Sequence, residues 1–191
     1  MSAEPALRAA LDGASSATSP AAALHLLDAA LANDARLDDA AVLHHARANV
    51  LMALERIDDA VLAADRAVGL APAVPDFASN LGAALLARFR LCGDDDDLQR
   101  AARVLVDAVI LGPRTPQLRA TLAVTLSQQG RYDDALAVCD DNLVQFPDDA
   151  ATLFNRAAAL LGAGRRDEAR ATLTTLATTF PPAQAALLRL G

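Results

Sequence analysis

Residues 130–138 read GRYDDALAV, and residues 164–172 read GRRDEARAT, so similar segments recur after 34 positions. A third copy, ERIDDAVLA, occupies residues 55–63. The prolines keep the same register, because a repeat alanine precedes each of four prolines by 12 residues: Pro72, Pro113, Pro147 and Pro181. Four of the nine prolines therefore share one repeat position, which indicates a tandem array of similar units rather than an unrelated helical bundle.

The composition favours helices along the whole chain. Of the 191 residues, 47 are Ala and 32 are Leu, whereas aromatic residues make up 3% and Trp is absent. Ala and Leu lose little side-chain freedom in a helix, so this vocabulary predicts an all-α protein. The same composition excludes a β-sandwich, a disulfide scaffold and a disordered tail.

Each unit is predicted to be a pair of antiparallel helices. Proline is accepted in a first turn but ends a helix that runs into it. The first helices begin near Ala41, Pro75, Pro116 and Ala150 and end at turns near Arg56, Asp94, Gly130 and Gly164; the second helices run to the residue before the closing proline. Small residues midway along the first helices (Ala48, Gly82, Ala123, Ala157) face the series Ala60, Ala101, Ala135 and Ala169 on the second helices. Leucines at Leu51, Leu85, Leu126 and Leu160 fill the gap to the next unit, so the units must stack into an α-solenoid.

This pattern resembles the tetratricopeptide repeat of bacterial proteins, a 34-residue helix–turn–helix unit with small residues at positions 8, 20 and 27 and proline at position 32. The resemblance covers residues 37–181 and implies an all-α, right-handed solenoid of stacked antiparallel helix pairs. At position 27, Asn142 and Leu176 replace the small residue of the repeat in the last two units. At position 17, only Tyr132 keeps the aromatic residue of the family. The second unit has seven extra residues and resembles the 41-residue variant found beside CHAT-type protease domains.

We expect residues 1–191 to form a single domain with two atypical ends. Residues 1–36 are predicted to be a degenerate helix pair or cap, with helices over 3–12 and 20–32 and with Ser19 as the N-cap of the second. Four repeat units follow, at about 41–74, 75–115, 116–149 and 150–181. Residues 182–191 are predicted to be a C-terminal capping helix, because an open solenoid end is hydrophobic.

In the family that the chain resembles, the first helices line a concave groove that holds a peptide. Carried over position by position, that resemblance places eight candidate partner-binding residues in the groove: His45, Asn49, Met52, Asn80, Gln117, Thr121, Gln128 and Asn155. Asn49, Asn80 and Asn155 are the favoured candidates, since an amide offers both a donor and an acceptor to a peptide backbone. The alternative is that these amides are family consensus residues that are solvated or bonded locally.

Some members of the family hold a C-terminal carboxylate with Lys, Asn and Arg. Asn49 and Asn80 match the Asn positions, but His45 and Gln117 stand where the lysines belong and Thr121 where the arginine belongs. Without these cations, we predict against high-affinity binding of acidic chaperone tails.

The sequence offers few residues that could support catalysis or bind a metal. All 17 basic residues are arginine, so the chain has no lysine for a Schiff base or a phosphate-binding loop. His44 and His45 are adjacent and lie about 100° apart on a helix, which disfavours a shared metal. Asp94–Asp97 lack the spacing of a calcium loop and suit a helix start instead. Cys139 is expected to be an inert core residue; we predict no enzyme activity, no cofactor and no metal.

Charge and hydropathy limit the kinds of partner. The 24 acidic residues and 17 arginines give a net charge of −7, and no basic stripe with interleaved aromatics is present. We therefore expect no nucleic-acid partner. No apolar run has the length of a membrane span and the N-terminus lacks the apolar core of a signal peptide, so we expect a cytoplasmic protein without membrane association.

The leading functional hypothesis is a non-catalytic interaction module, an adaptor or scaffold, that holds a peptide or helix of a partner protein in its groove. The alternative is a structural or assembly subunit or chaperone. Such a subunit would form a homodimer, or dock on an enzyme or secretion complex, through its terminal helices.

Overall fold

The computed structural model describes residues 4–33, 37–111 and 115–190. Pro113 and the expected helix start at residue 3 lie outside these ranges. Within them the chain is all-α, as predicted, and forms eleven helices. They are α1 (Glu4–Ser15), α2 (Pro20–Ala32), α3 (Leu37–Ala53), α4 (Ile57–Leu70), α5 (Pro75–Cys92), α6 (Asp95–Leu111), α7 (Pro116–Gln128), α8 (Tyr132–Gln145), α9 (Ala150–Gly162), α10 (Arg166–Leu176) and α11 (Pro181–Leu190).

The helices group into two compact units, residues 1–112 and residues 113–191. In the first unit, α1 pairs with α2, α3 with α4 and α5 with α6; the first helices α1, α3 and α5 also contact one another in succession. In the second unit, α7 pairs with α8 and α9 with α10, α7 contacts α9, and α11 packs on α10. Helices adjacent in sequence are thus adjacent in space within each unit, which is the stacking mode of a solenoid. The proposed boundaries of the four repeats remain a prediction.

The two small-residue series fill the helix interfaces as predicted. Ala48, Ala60, Ala101, Ala135, Ala157 and Ala169 are completely buried. Gly82 is buried as well, and an added Cβ there would lie 2.8 Å from a methyl carbon of Leu105. Small side chains therefore let paired helices approach closely, and the leucines Leu51, Leu85, Leu126 and Leu160 pack around them with at most 4% exposure.

The turn inside each of three helix pairs has one conformation. Gly130 and Gly164 adopt φ values of 74° and 78°, and the next residue's N–H returns to a carbonyl of the preceding helix. Glu55 occupies the same position between α3 and α4 with φ of 57°. A non-glycine residue in the left-handed region is strained. The packing of the two helices in the repeat therefore imposes this turn at Glu55, against the residue's own backbone preference.

Several helix ends differ from the predicted ones. Helix α1 runs to Ser15 rather than to residue 12, because the Ser16 hydroxyl donates to the Asp12 carbonyl and extends the last turn. Helix α3 begins at Leu37, four residues before the expected start at Ala41. Helix α10 ends at Leu176, well before Pro181, where threonines replace good helix formers. The N-cap at Ser19 is confirmed, since its hydroxyl accepts the Ala22 N–H at 3.2 Å.

Candidate functional site

The eight candidate residues lie on first helices, four in each compact unit. Helices α3 and α5 carry His45, Asn49, Met52 and Asn80, and helices α7 and α9 carry Gln117, Thr121, Gln128 and Asn155. Their exposure divides them: Asn49, Gln117 and Gln128 are exposed, His45, Met52 and Asn155 are half-buried, and Asn80 and Thr121 are buried. The candidates therefore differ in how much of each side chain a partner can reach.

Asn80 joins two successive first helices. Its Nδ2 lies 3.2 Å from the carbonyl oxygen of His45 on α3 and 3.2 Å from the Nδ1 atom of the same histidine ring. The ring also packs on Phe77 of α5, with 5.0 Å between ring centroids. With 8% exposure, Asn80 has its amide nitrogen committed to the helix interface.

This contact determines the hydrogen-bonding state of His45. The carbonyl accepts one Asn80 N–H, so the second N–H points to Nδ1 and requires that atom to be the acceptor. A neutral imidazole then carries its proton on Nε2, which lies 3.3 Å from the amide of Asn49. The structure places Asn49 Nδ2 at that distance, and because an N–H donor needs an acceptor, a hydrogen bond to this Nε2–H requires the Asn49 amide to turn its oxygen to the ring.

The same inter-helix bond recurs in the second unit. Asn155 Nδ2 on α9 donates to the carbonyl of Ala120 on α7 at 3.4 Å, again 35 residues earlier. Asn155 keeps partial exposure, unlike Asn80. Two of the three favoured asparagines thus connect successive first helices, in agreement with the locally bonded alternative, while Asn49 stays exposed.

The candidate residues on α7 also differ in exposure and in their hydrogen bonds. The Thr121 hydroxyl donates to the carbonyl of Gln117 in its own helix at 2.9 Å, and Thr125 donates in turn to the Thr121 carbonyl. Thr121 is therefore satisfied internally. The exposed side chains on this helix are Gln117 near its start and Gln128 at its end.

Burial lowers the pKa of both adjacent histidines. For His45, burial favours the neutral ring and exceeds the opposing attraction of Asp76 on α5. For His44, burial acts together with the positive charges of Arg66 and Arg47. Both rings thus favour the neutral state, which for His45 agrees with a histidine that accepts a hydrogen bond at Nδ1.

Two ion pairs were not anticipated from the sequence. Arg88 on α5 contacts the buried Asp97 of α6 through two nitrogens, at 2.7 and 2.5 Å, and lies 3.4 Å from Asp58 of α4. These acids raise the pKa of Arg88 above its usual value, chiefly through the Asp97 hydrogen bonds. In the second unit, Arg119 is 2% exposed and lies 2.8 Å from Asp141. The partners lie on different helices, 9 and 22 residues apart, and the seven-residue insertion obscures the register of Asp97.

The described residues offer neutral amides, imidazole and small apolar side chains. In the ranges 4–33, 37–111 and 115–190, no three His, Cys, Asp or Glu residues are arranged to hold a metal ion. Burial raises the pKa of the Cys139 thiol to about 12, so it stays protonated in its core position. This chemistry suits recognition by hydrogen bonding and shape.

Sequence models of the tetratricopeptide repeat match more than half of the chain. One matches residues 45–91 and 93–150, and another matches residues 128–190. No curated protein sequence matches significantly. Among the described helices, none has both the length and the apolar character needed to cross a membrane.

Solved structures of repeat proteins resemble the fold. TTC0263, a thermophilic TPR protein of Thermus thermophilus, aligns with a TM-score of 0.74 at 23% identity, covering 90% of each chain. YrrB, described as a TPR protein with an unusual peptide-binding site, aligns with a TM-score of 0.64 at 22% identity over 87% of this chain and 82% of its own. MamA aligns with a TM-score of 0.67 at 18% identity over 88% of both chains. At these identities the likeness concerns the fold.

Proposed function

Because the chain belongs to the tetratricopeptide repeat family, we propose that it is a non-catalytic adaptor that binds a peptide or helix of a partner protein along its first helices. The family's fold is that of a protein-interaction module, and YrrB carries a peptide-binding site by its description. We extend peptide binding to the present chain because its fold resembles that of YrrB. The proposed contacts lie on α3 and α5 of one unit and on α7 and α9 of the other.

The proposal rests on a difference among five amide side chains of the first helices: two are bonded between helices and three are exposed. Asn80 and Asn155 connect successive first helices and so set their spacing. Asn49, Gln117 and Gln128 are exposed on the same class of helix. An exposed amide presents both a donor and an acceptor, which is what the main chain of an extended peptide requires.

Affinity purification with a variant of the exposed amides tests the proposal. The groove variant combines Asn49→Ala, Gln117→Ala and Gln128→Ala; exposed substitutions of this kind change stability by about 0.5 kcal/mol or less each. A control variant removes amides from exposed positions of second helices, Gln99→Ala on α6 and Gln145→Ala on α8. Circular dichroism and thermal melting verify that both variants fold.

We expect a specific protein to be captured by the wild type and the control variant but lost with the groove variant. Equal capture by all three would contradict binding along the first helices. The partner identified in this way then supplies the peptide for quantitative binding by fluorescence anisotropy.

Self-association through the terminal helices is a second candidate function. Leu188 on the last helix, α11, is 80% exposed, and Leu26 on the second helix, α2, is 41% exposed, so helices near both ends of the chain carry accessible apolar side chains. Light scattering over a range of concentrations measures the mass. A dimer that Leu188→Gln or Leu26→Gln converts to monomer would favour the assembly role, whereas a constant monomer mass would exclude a homodimer.

A further inference from the structure

A recess of about 310 Å³ lies between the first helix pair and α3 and opens to solvent. We call it the N-terminal notch. Six apolar residues line it: Ala14, Ala17, Pro20, Ala23, Val50 and Ala53. The alanine methyl groups are too short to fill the space between the helices. The walls of an open recess lack contacts on one side, and an apolar side chain from another molecule restores those contacts.

An exposed leucine lies near the other end of the sequence. Leu187 and Leu188 are adjacent on α11 and point about 100° apart around the helix, so they cannot both pack on α10. Leu187 is half-buried, whereas Leu188 is 80% exposed. The notch suits one such side chain, because its volume is at the lower end of pockets that bind ligands.

Two arginines hold α11 on α10 and make this region basic. The guanidinium groups of Arg166 and Arg170, both on α10, each donate to the carbonyl oxygen of Leu190 at 2.8 Å. Their acceptor is neutral, so this contact fixes the helix that carries Leu188 without cancelling either positive charge. Arg189 adds a third arginine, exposed and next to Leu188 in sequence. A fixed helix therefore presents the exposed leucine among positive charges.

The helices that form the notch carry the opposite charge. Residues 1–53 contain six acidic residues and three arginines, a net side-chain charge of −3. This count includes Arg8, which shares a surface recess with Asp12. Residues 165–190, which span α10 with its N-cap and α11, contain four arginines and two acidic residues, a net charge of +2. Two copies of the chain therefore attract each other when the notch of one meets α11 of the other, whereas like ends repel.

We propose that the chain associates with itself head to tail, with Leu188 on α11 of one copy inserted into the N-terminal notch of a second copy. The occupant is a second copy because each chain carries both the notch and the exposed leucine, and because only this pairing of ends brings opposite charges together. Such a contact is heterologous, so copies can add in a ring or a filament. The inference goes beyond the proposed adaptor function and gives the self-association candidate a defined interface.

Sedimentation velocity measures the mass of the full chain at low salt, from about 10 μM to about 1 mM. A contact centred on one leucine buries little surface, so we expect dissociation constants in this range. The average mass of the wild type is expected to rise with concentration. Leu188→Gln should weaken association about tenfold, whereas Leu62→Gln, at a leucine of α4 that is 61% exposed, should leave it unchanged.

A filled notch tests the other side of the contact. Ala53→Leu places a larger side chain at an exposed wall position and should also weaken association about tenfold. Ala29→Leu makes the same change at an exposed position of α2 outside the lining and is the matched control. Circular dichroism verifies the fold of each variant. Ala17→Leu, in the connection between α1 and α2, replaces Ala53→Leu if that variant does not fold.

A mixture of the two blocked chains tests the direction of the contact. Leu188→Gln and Ala53→Leu are each expected to be monomeric at a concentration where the wild type associates. Ala53→Leu retains its leucine and Leu188→Gln retains an open notch, so an equimolar mixture should form a one-to-one dimer. A symmetric homodimer through α11 would instead persist in Ala53→Leu alone.

Charge reversal tests the electrostatic part of the contact. Arg189→Glu should weaken association and reduce its dependence on salt between about 0.05 M and about 0.5 M NaCl. Arg103→Glu, at an exposed position of α6, changes the net charge of the chain by the same amount and should have a much smaller effect. Equal effects of the two reversals would reject charge complementarity between the ends.

A constant monomer mass, association that survives both Leu188→Gln and Ala53→Leu, or a mixture that stays monomeric would overturn the inference. Partner capture separates this result from the proposed function. Capture that Ala53→Leu and Leu188→Gln retain and the groove variant loses leaves the adaptor function standing, whatever the mass of the chain. Capture that is insensitive to the groove variant rejects the adaptor function and leaves the head-to-tail contact standing.

Discussion

Asn80 Nδ2 lies 3.2 Å from the main-chain oxygen of His45, a residue 35 positions earlier, and the same distance from the Nδ1 atom of its ring. One amide thus holds both the backbone and the side chain of the preceding first helix. Because Asn80 is buried, its removal leaves the His45 ring nitrogen without this donor and the His45 carbonyl with only its bond inside α3.

Asn80→Ala is expected to lower the free energy of unfolding by about 1–3 kcal/mol, the usual range for leaving buried polar groups unsatisfied. Asn49→Ala, at an exposed position of α3, is expected to change it by about 0.5 kcal/mol or less. Urea denaturation of the two variants and the wild type measures the difference. Equal effects of the two substitutions would contradict the assigned role of Asn80.

Stability is expected to decrease as the solution becomes mildly acidic. Burial lowers the pKa of His45 and His44 below the unfolded value of about 6.5, so the unfolded chain binds protons first. The contribution of the neutral rings is complete above pH 6.5 and is lost as the pH falls through their folded pKa values. Protonation at His45 Nδ1 also places two donors face to face with Asn80.

Urea denaturation at several values between pH 7.5 and 5 measures this loss, and a ring-proton titration gives each folded pKa. His45→Gln and His44→Gln separate the two contributions, and each variant is expected to show a shallower dependence on pH than the wild type. A folded pKa of His45 above 6.5 would reject the assigned hydrogen-bonding state.

Glu55→Gly is expected to stabilise the protein by about 0.5–1 kcal/mol. The residue has φ of 57°, a conformation that costs an L-residue about 1 kcal/mol and that the equivalent Gly130 adopts without strain. The gain is partly offset by the greater freedom of glycine in the unfolded chain. Gly130→Ala is the reciprocal change and should destabilise. Thermal melting compares the two, and a lower melting temperature of Glu55→Gly would contradict the expectation.

Arg88→Met is expected to destabilise the first unit by about 3–5 kcal/mol, because it leaves the carboxylate of Asp97 buried without its partner. Asp97 has 4% exposure and cannot recover hydration without rearrangement. The double variant Arg88→Met and Asp97→Leu should recover most of the loss. Chemical denaturation of the single and double variants forms the cycle; additive losses would show that the pair is uncoupled.

Much of the fold was predictable because repeat spacing and residue size carry the information. The 34-residue period and the first-turn prolines placed the starts of α5 and α7, and the small residues identified the helix interfaces. The early start of α3 at Leu37 and the extension of α1 to Ser15 were missed. The extension of α1 depends on a local bond, that of the Ser16 hydroxyl, which helix propensity does not predict.

The candidate surface was harder to predict than the helices. Asn49 and Asn80 are the same residue type on the same class of helix, yet one is exposed and the other connects two helices. Asn80 contacts His45, 35 residues earlier on the preceding first helix. This contact depends on how the two helices pack, and the residue type at one position does not show it. The recurrence of Asn at one repeat position, as Asn80 and Asn155, was the available signal.

The bonds from Asn80 and Asn155 each reach back 35 residues, one more than the period of the repeat. A duplicated stretch of 34 codons that includes such an asparagine would bring its own donor and would find an acceptor in the copy before it. No existing bond of this class would be broken by the insertion. A whole-unit duplication of this kind would therefore lengthen the array while the donors at Asn80 and Asn155 keep an acceptor at the same spacing.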